Sequence, residues 1–267
     1  MSRATADALI RNLKLLNTKE RDHLMRLAYL GQSTDYSTAS VFLSAELDQC
    51  LRELGLGLSS HARCVFAGMD YHLDWLFAAA WLAMKSSSWS PPEAIPMIPI
   101  EPYKAVEGIK AIYTDFRPIT GSQEDIDLVV VYDDGTKLTL LFVEAKGSAA
   151  FNWVQLARKL IRLDRILVKS KMAAQGNGLF DFHMILAAPK GKKPKSDVCL
   201  EYVRSKIEKA GQPEVYGPML KALNRHASGL GRRLQFLPIS GFPEQTYAVR
   251  RVPKTGEETH WTLKKRP

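Results

Sequence analysis

Asp127, Glu144 and Lys146 are the residues whose types and spacing in this chain could do chemistry. They lie in one stretch from Glu124 to Gly147, EDIDLVVVYDDGTKLTLLFVEAKG. Two carboxylates and a lysine brought together on adjacent strands can hold a divalent cation beside a phosphate. Mg²⁺ takes hard oxygen ligands in octahedral geometry and usually keeps several waters. Asp127, Glu144 and the carbonyl of Ala145 make a donor set of that kind, with Mn²⁺ expected to substitute. Such a cation would lower the pKa of a bound water and offset charge at the phosphorus. Lys146 would sit beside that water, orienting it or stabilising the developing negative charge. The same residues also read as an ordinary ion cluster at a strand end, because an acid followed by Glu-x-Lys is a short pattern that chance produces often.

A β-hairpin is what must position them. Ile126 to Tyr132 is apolar and largely β-branched apart from Asp127, which predicts a strand. Asp133-Asp134-Gly135-Thr136 follows, and Asp-Gly is a strong turn signal because glycine accepts positive φ. Lys137 to Lys146 reads as the return strand. Side chains alternate faces along a strand, so Glu144 and Lys146 share a face and Ala145 lies opposite. An antiparallel hairpin sets Asp127, near the start of the first strand, beside Glu144, near the end of the second. Charges at the end of a buried strand are costly unless exposed or compensated.

In these residues the segment resembles the PD-(D/E)xK nuclease superfamily, the restriction-endonuclease-like enzymes. The matching residues are Asp127 in DIDLVVVY and Glu144-Ala145-Lys146 in LLFVEAKG, with Ile126 where the motif often has proline. The resemblance covers about residues 74–189. It implies a Mg²⁺-dependent nuclease with the acid on the second strand and the Glu-x-Lys on the third. It also implies a helix and a further strand after the lysine, and Phe151 to Lys171 has helical periodicity, with Asn152 as a plausible N-cap. Phe182 to Ala188 reads as the next strand, ending at Pro189. The family often places a Gln or Lys on that helix facing the site, and Gln155 fits, although a solvated Gln is the plain alternative. An acid on an earlier helix often completes the site. Asp74 is the candidate, on an expected helix from Asp70 to Met84, and Glu46 is the runner-up; a first-turn acid complementing the helix dipole explains Asp74 equally well. Family members often pair as dimers, so a homodimer is expected by analogy.

The 267-residue chain carries a net charge of +9, and the excess is concentrated. From Arg158 to Lys195 ten Lys and Arg face two acids, Asp164 and Asp181. Arg158, Arg162 and Arg165 recur at helical spacing and are expected to form a stripe, with Lys169 beyond it. Lys190, Lys192, Lys193 and Lys195 in PKGKKPK are expected to form a basic loop. Patches of this kind attract phosphate backbones without reading sequence, so nucleic acid, DNA above all, is the expected partner. A solvated helix face and a solubilising loop are the bland counterpart.

Four further expectations bound the reading. The apolar run Trp75 to Met84 is shorter than the roughly 20 residues that span a bilayer, so no membrane is expected. The N-terminus lacks the apolar core of a signal peptide. The three cysteines, Cys50, Cys64 and Cys199, form no CxxC pair, which suggests a reducing cytoplasm rather than a disulfide framework or zinc site. There is no GxxxxGK[ST], HExxH or GxSxG motif for other chemistries.

The expected architecture is α/β: a central mixed β-sheet flanked by helices, a restriction-endonuclease-like core with a helical N-terminal region. Residues 1–84 read as that helical region, with helices at Ala4–Leu16, Lys19–Leu30, Thr38–Leu54 and Asp70–Met84. Residues 85–102 form a Pro/Ser-rich loop. Residues 103–240 form the nuclease-like domain, with Ile109–Phe116 as its first strand, helices near Ser196–Ala210 and Pro218–Ala227, and a late strand at Leu234–Ile239. Residues 241–267 form a basic hairpin or tail. The competing functions are a nucleic-acid-binding subunit that does not cut, and a structural protein whose N-terminal helices dock a partner.

Overall fold

The computed structural model describes residues 3–17, 43–85, 117–120, 124–146, 151–172, 179–189, 200–209, 213–226, 234–239, 247–252 and 260–265. In chain order the elements are α1 (Arg3–Leu16), α2 (Ala45–Arg52), β1 (Arg63–His72), α3 (Leu73–Lys85), β2 (Asp125–Asp133), β3 (Leu138–Ala145), α4 (Trp153–Lys169), β4 (Phe180–Pro189), α5 (Leu200–Glu208), α6 (Pro213–His226), β5 (Leu234–Ile239), β6 (Tyr247–Val252) and β7 (His260–Lys265).

Strands β1 to β5 form one five-stranded mixed sheet in the order β1-β2-β3-β4-β5. β1-β2 and β2-β3 are antiparallel, and β3-β4 and β4-β5 are parallel. The β2–β3 hairpin closes as its sequence predicts. Gly135 takes φ +90°, which a side chain would resist, and Asp134 Oδ1 accepts from the Thr136 and Lys137 N–H groups at 2.8 and 2.7 Å. The parallel step from β3 to β4 needs a crossover, and α4 supplies it. Asn152 caps that helix, its Oδ1 accepting from Gln155 N–H at 3.1 Å.

Each face of the sheet has its own core. On one face Val129, Val131, Leu138, Leu140, Phe142, Met184 and Leu186 pack with apolar residues of α1, α3, α4, α5 and α6. On the other, Val130, Tyr132, Leu141, Val143 and Ile185 pack with Leu51 of α2 and with Leu56. Strands covered on both faces read as continuous apolar runs, which is why β2, β3 and β4 stood out. β6 and β7 pair antiparallel as a separate two-stranded sheet, as expected of the tail.

The N-terminal third departs from the all-helical expectation. Arg63–His72 is a strand, and it opens the sheet beside β2. The apolar helix therefore begins at Leu73, not Asp70, and its first turn is tied to the residue preceding β2 by Leu73 N–H donating to Glu124 O at 3.0 Å. Gly68 is what lets β1 pass: a Cβ there would lie 2.8 Å from Phe66 Cζ and 3.1 Å from Tyr71 Cδ2. Phe66 and Tyr71 meet edge to face at 5.6 Å, and the Tyr71 hydroxyl donates to Leu13 O at 2.9 Å, locking α1 onto the sheet. The third expected helix is described over Ala45–Arg52. The helix expected at Lys19–Leu30, the 85–102 loop apart from Lys85 and the strand expected at Ile109–Phe116 lie outside the described residues. Among the described residues no helix is long and apolar enough to cross a membrane.

Candidate functional site

The β2–β3 ladder runs as far as Leu128↔Val143. One step further the same register sets Asp127 against Glu144. There the strands stop exchanging backbone bonds, and the Asp127 side chain takes over: its Oδ2 accepts from Ala145 N–H at 2.6 Å. The N–H and C=O of an extended residue point the same way, so the Ala145 carbonyl is directed to the Asp127 side as well. Lys146 N–H points oppositely, donating to Ala187 O on β4 at 2.8 Å. Asp127, Glu144 and Ala145 thus meet where β2 and β3 part.

Glu144 lies on the sheet face covered by α4, in line with Leu138, Leu140 and Phe142, and its side chain is only 4% exposed. Two ammonium groups hold it. Lys159 Nζ donates to Oε2 at 2.6 Å, and Lys146 Nζ lies 3.3 Å from Oε1. The lysines differ in setting: the Lys159 side chain is 3% exposed and that of Lys146 is 26% exposed. Burial pushes the Glu144 carboxyl above the usual carboxylate range; Lys159 opposes that push and the charge of Asp127 adds to it. This is the balance expected where a carboxylate is desolvated between partners of both signs.

A second buried ion network adjoins the first. Arg162, wholly out of solvent, donates to Glu124 Oε2 at 2.6 Å, Asp74 Oδ1 at 2.8 Å and Pro118 O at 3.2 Å. Arg158, 8% exposed, reaches Glu124 Oε2 at 3.7 Å, and Thr120 N–H donates to Asp74 Oδ1 at 3.2 Å. Helix α4 therefore stitches α3, residues 118–120 and the foot of β2 together, three residues ahead of Asp127.

Two expectations, those for Asp74 and Glu46, are corrected by this geometry. Asp74 does not stand with Asp127 and Glu144: it is the partner of Arg162. Glu46 is exposed in the first turn of α2, an element that packs on the opposite face of the sheet. Gln155 is exposed, and the residue of α4 that reaches Glu144 is Lys159, one turn later. The expected arginine stripe is likewise corrected at Arg158 and Arg162, which are internal ion-pair partners and not a solvated face. Arg165 is half-buried and Lys169 is exposed. Lys190, Lys192, Lys193 and Lys195 lie outside the described residues.

Lys159 and Glu124 were missed, and for Lys159 a signal existed. It falls three residues after Leu156 and four before Leu163, inside the apolar stripe of α4, where an unpaired ammonium is not tolerated. Asp70, at φ +48°, stands between Met69↔Leu128 and Tyr71↔Ile126, the register position opposite Asp127. Aspartate is among the few side chains that tolerate this conformation.

The donors suit a small hard cation in kind. Among the described residues no three His, Cys, Asp or Glu side chains are grouped to hold an ion. Mg²⁺ does not need such a cage, since one or two carboxylates with waters and substrate oxygens suffice. Comparison with family models, with curated proteins and with solved structures found no match to this chain.

Proposed function

We propose that this chain is a divalent-metal-dependent nuclease that hydrolyses phosphodiester bonds, with DNA as its substrate. One observation carries the reading: the 2.6 Å bond from Ala145 N–H to Asp127 Oδ2 draws an acid of the second strand to the third, which bears Glu144 and Lys146. Asp127, Glu144 and the Ala145 carbonyl would hold Mg²⁺, with Mn²⁺ able to replace it. When bound, the ion would acidify water and offset phosphate charge. Lys146, the more exposed of the two lysines on Glu144, would meet a phosphate and the water attacking it. Lys159 holds Glu144 from the protein interior.

The order of elements supports the PD-(D/E)xK resemblance. Three antiparallel strands carry the motif on the second and third, and a helix crosses over to a parallel fourth. We read this as a restriction-endonuclease-like core. The positive charge of the chain suits a phosphodiester substrate, and a homodimer remains the proposal by analogy.

A second reading has one observation in its favour. Glu144 already has two lysines, so its charge is satisfied without a metal. A nucleic-acid-binding subunit that does not cut would look the same. Cleavage of labelled duplex DNA, single-stranded DNA and RNA in Mg²⁺, Mn²⁺ or EDTA separates the two. Metal-dependent cutting supports the nuclease; salt-sensitive binding indifferent to EDTA, without cutting under either metal, supports the subunit.

A further inference from the structure

We infer that Trp153 and Tyr202 form a stacking platform for unpaired nucleobases beside the strand end that carries Lys146. Trp153 opens α4 and Tyr202 lies in the first turn of α5, and their rings meet edge to face at 5.1 Å. Both are half-buried, and the buried Phe151 backs Trp153 at 6.0 Å. Lys206, exposed one turn further along α5, holds its ammonium 5.1 Å from the centre of the Tyr202 ring. Partly open aromatic rings with a cation laid against them are what single-strand grooves are built from, the rings for bases and the cation for phosphates. A duplex offers its phosphates but not its base faces, which are stacked on one another, so such rings select an unpaired strand. The place in the fold ties the platform to the proposed site. α4 is the crossover that follows β3, so Trp153 lies at the end of the sheet where β3 gives way to Lys146, and Tyr202 is held there by its contact with Trp153. Trp153 comes seven positions after Lys146, a reach of at most about 25 Å. Lys159 on the same helix bonds Glu144 at 2.6 Å, which fixes α4 against that strand end. The net charge of +9 suits a polyanion. The inference rests on the nucleic-acid substrate proposed above and on no metal ion.

A fluorescein-labelled oligothymidylate and a labelled duplex of the same length are the probes, titrated with the full chain in EDTA and followed by anisotropy. Tyr202→Leu keeps an apolar side chain against the core and removes the ring. It is expected to weaken binding of the single strand by roughly fivefold to a hundredfold, the span of one lost base stack, and to leave duplex binding within about twofold. Trp153→Phe is the conservative check: quenching of tryptophan emission by the unlabelled single strand, expected in wild type, should shrink in this variant. Unchanged single-strand affinity in a folded Tyr202→Leu variant would overturn the inference and leave the nuclease reading standing, as would an equal loss on both probes. Should Tyr202→Leu fail to fold, the quenching decides, and emission quenched equally in wild type and Trp153→Phe would overturn it. A chain that binds neither probe would also overturn it, and cleavage in Mg²⁺ would then judge the nuclease reading by itself.

Discussion

Lys159 Nζ lies 2.6 Å from Glu144 Oε2, a helix cation and a strand anion paired almost out of reach of water. Neither charge could be left in that interior alone. The pair joins the crossover helix to the strand end on which the proposed chemistry depends, so the stability of the fold and the shape of the site share the same atoms.

Breaking that pair from one side should cost more than removing it whole. Lys159→Met leaves the buried Glu144 carboxylate with only the partly exposed Lys146, and is expected to destabilise the chain by about 3 kcal/mol, the low end for breaking a buried pair. The double variant Glu144→Gln/Lys159→Met should recover part of this loss. Urea unfolding of the two single variants and the double variant measures the coupling, and strictly additive losses would show that the pair does not act as a unit.

Arg162 is expected to matter to folding rather than to ligand affinity. It is fully buried with two carboxylates, Glu124 and Asp74, on its guanidinium. Arg162→Leu should destabilise by about 3–5 kcal/mol. Lys169→Ala on the exposed end of the same helix should stay within about 0.5 kcal/mol. Similar midpoints for the two in urea would contradict the assignment.

How much of this was legible follows from where the signals lay. The hairpin, α4 and β4 could be read because covered strands are continuous apolar runs, punctuated here by Asp134-Gly135 and Pro189. The strand Arg63–His72 was hidden because it passes into the apolar helix at Leu73 without a turn residue, and because Gly68 breaks its pattern. Arg158 and Arg162 were misread because their counter-charges, Asp74 and Glu124, come from segments remote in sequence. Charge periodicity reports spacing along a helix and not which side faces water. Lys159 could have been found by asking why a lysine sits between Leu156 and Leu163.

His183 should make stability pH-dependent. Both of its ring nitrogens are buried without a hydrogen bond among the described residues, and Asp181 Oδ2 lies 3.6 Å from Nε2. Burial, helped by the ammonium of Lys137, pushes the imidazole down to about 4 from an ordinary value near 6.5. The unfolded chain therefore takes up the proton first as pH falls. The contribution of neutral His183 is fully present above about pH 6.5 and is lost progressively down to about pH 4, on the order of 3 kcal/mol in total. His183→Leu should remove this part of the stability difference between pH 7 and pH 4. An unchanged pH profile in that variant would contradict the placement.

Nucleic-acid affinity should draw on Lys190, Lys192, Lys193 and Lys195 and not on the buried arginines. Replacing Lys190, Lys192, Lys193 and Lys195 by alanine is expected to weaken binding and to flatten the slope of log K against log salt by up to ~3–4, at about 0.9 for each phosphate neutralised. Fluorescence anisotropy across a salt series measures this. A slope that stays at its wild-type value would place the contact elsewhere.

The central claim is that Asp127, Glu144 and Lys146 form one hydrolytic site, and it is tested most directly by cleavage with single-residue variants. Supercoiled plasmid and end-labelled linear DNA would be incubated with Mg²⁺ or EDTA and with wild type, Asp127→Asn, Glu144→Gln or Lys146→Ala, each checked for folding by circular dichroism. The account predicts Mg²⁺-dependent cutting by wild type and a loss of at least about 100-fold in each folded variant, the scale of removing one group that stabilises developing charge. Cutting that survives in all three would contradict the site, and a wild type that binds DNA without cutting it in Mg²⁺ would contradict the function.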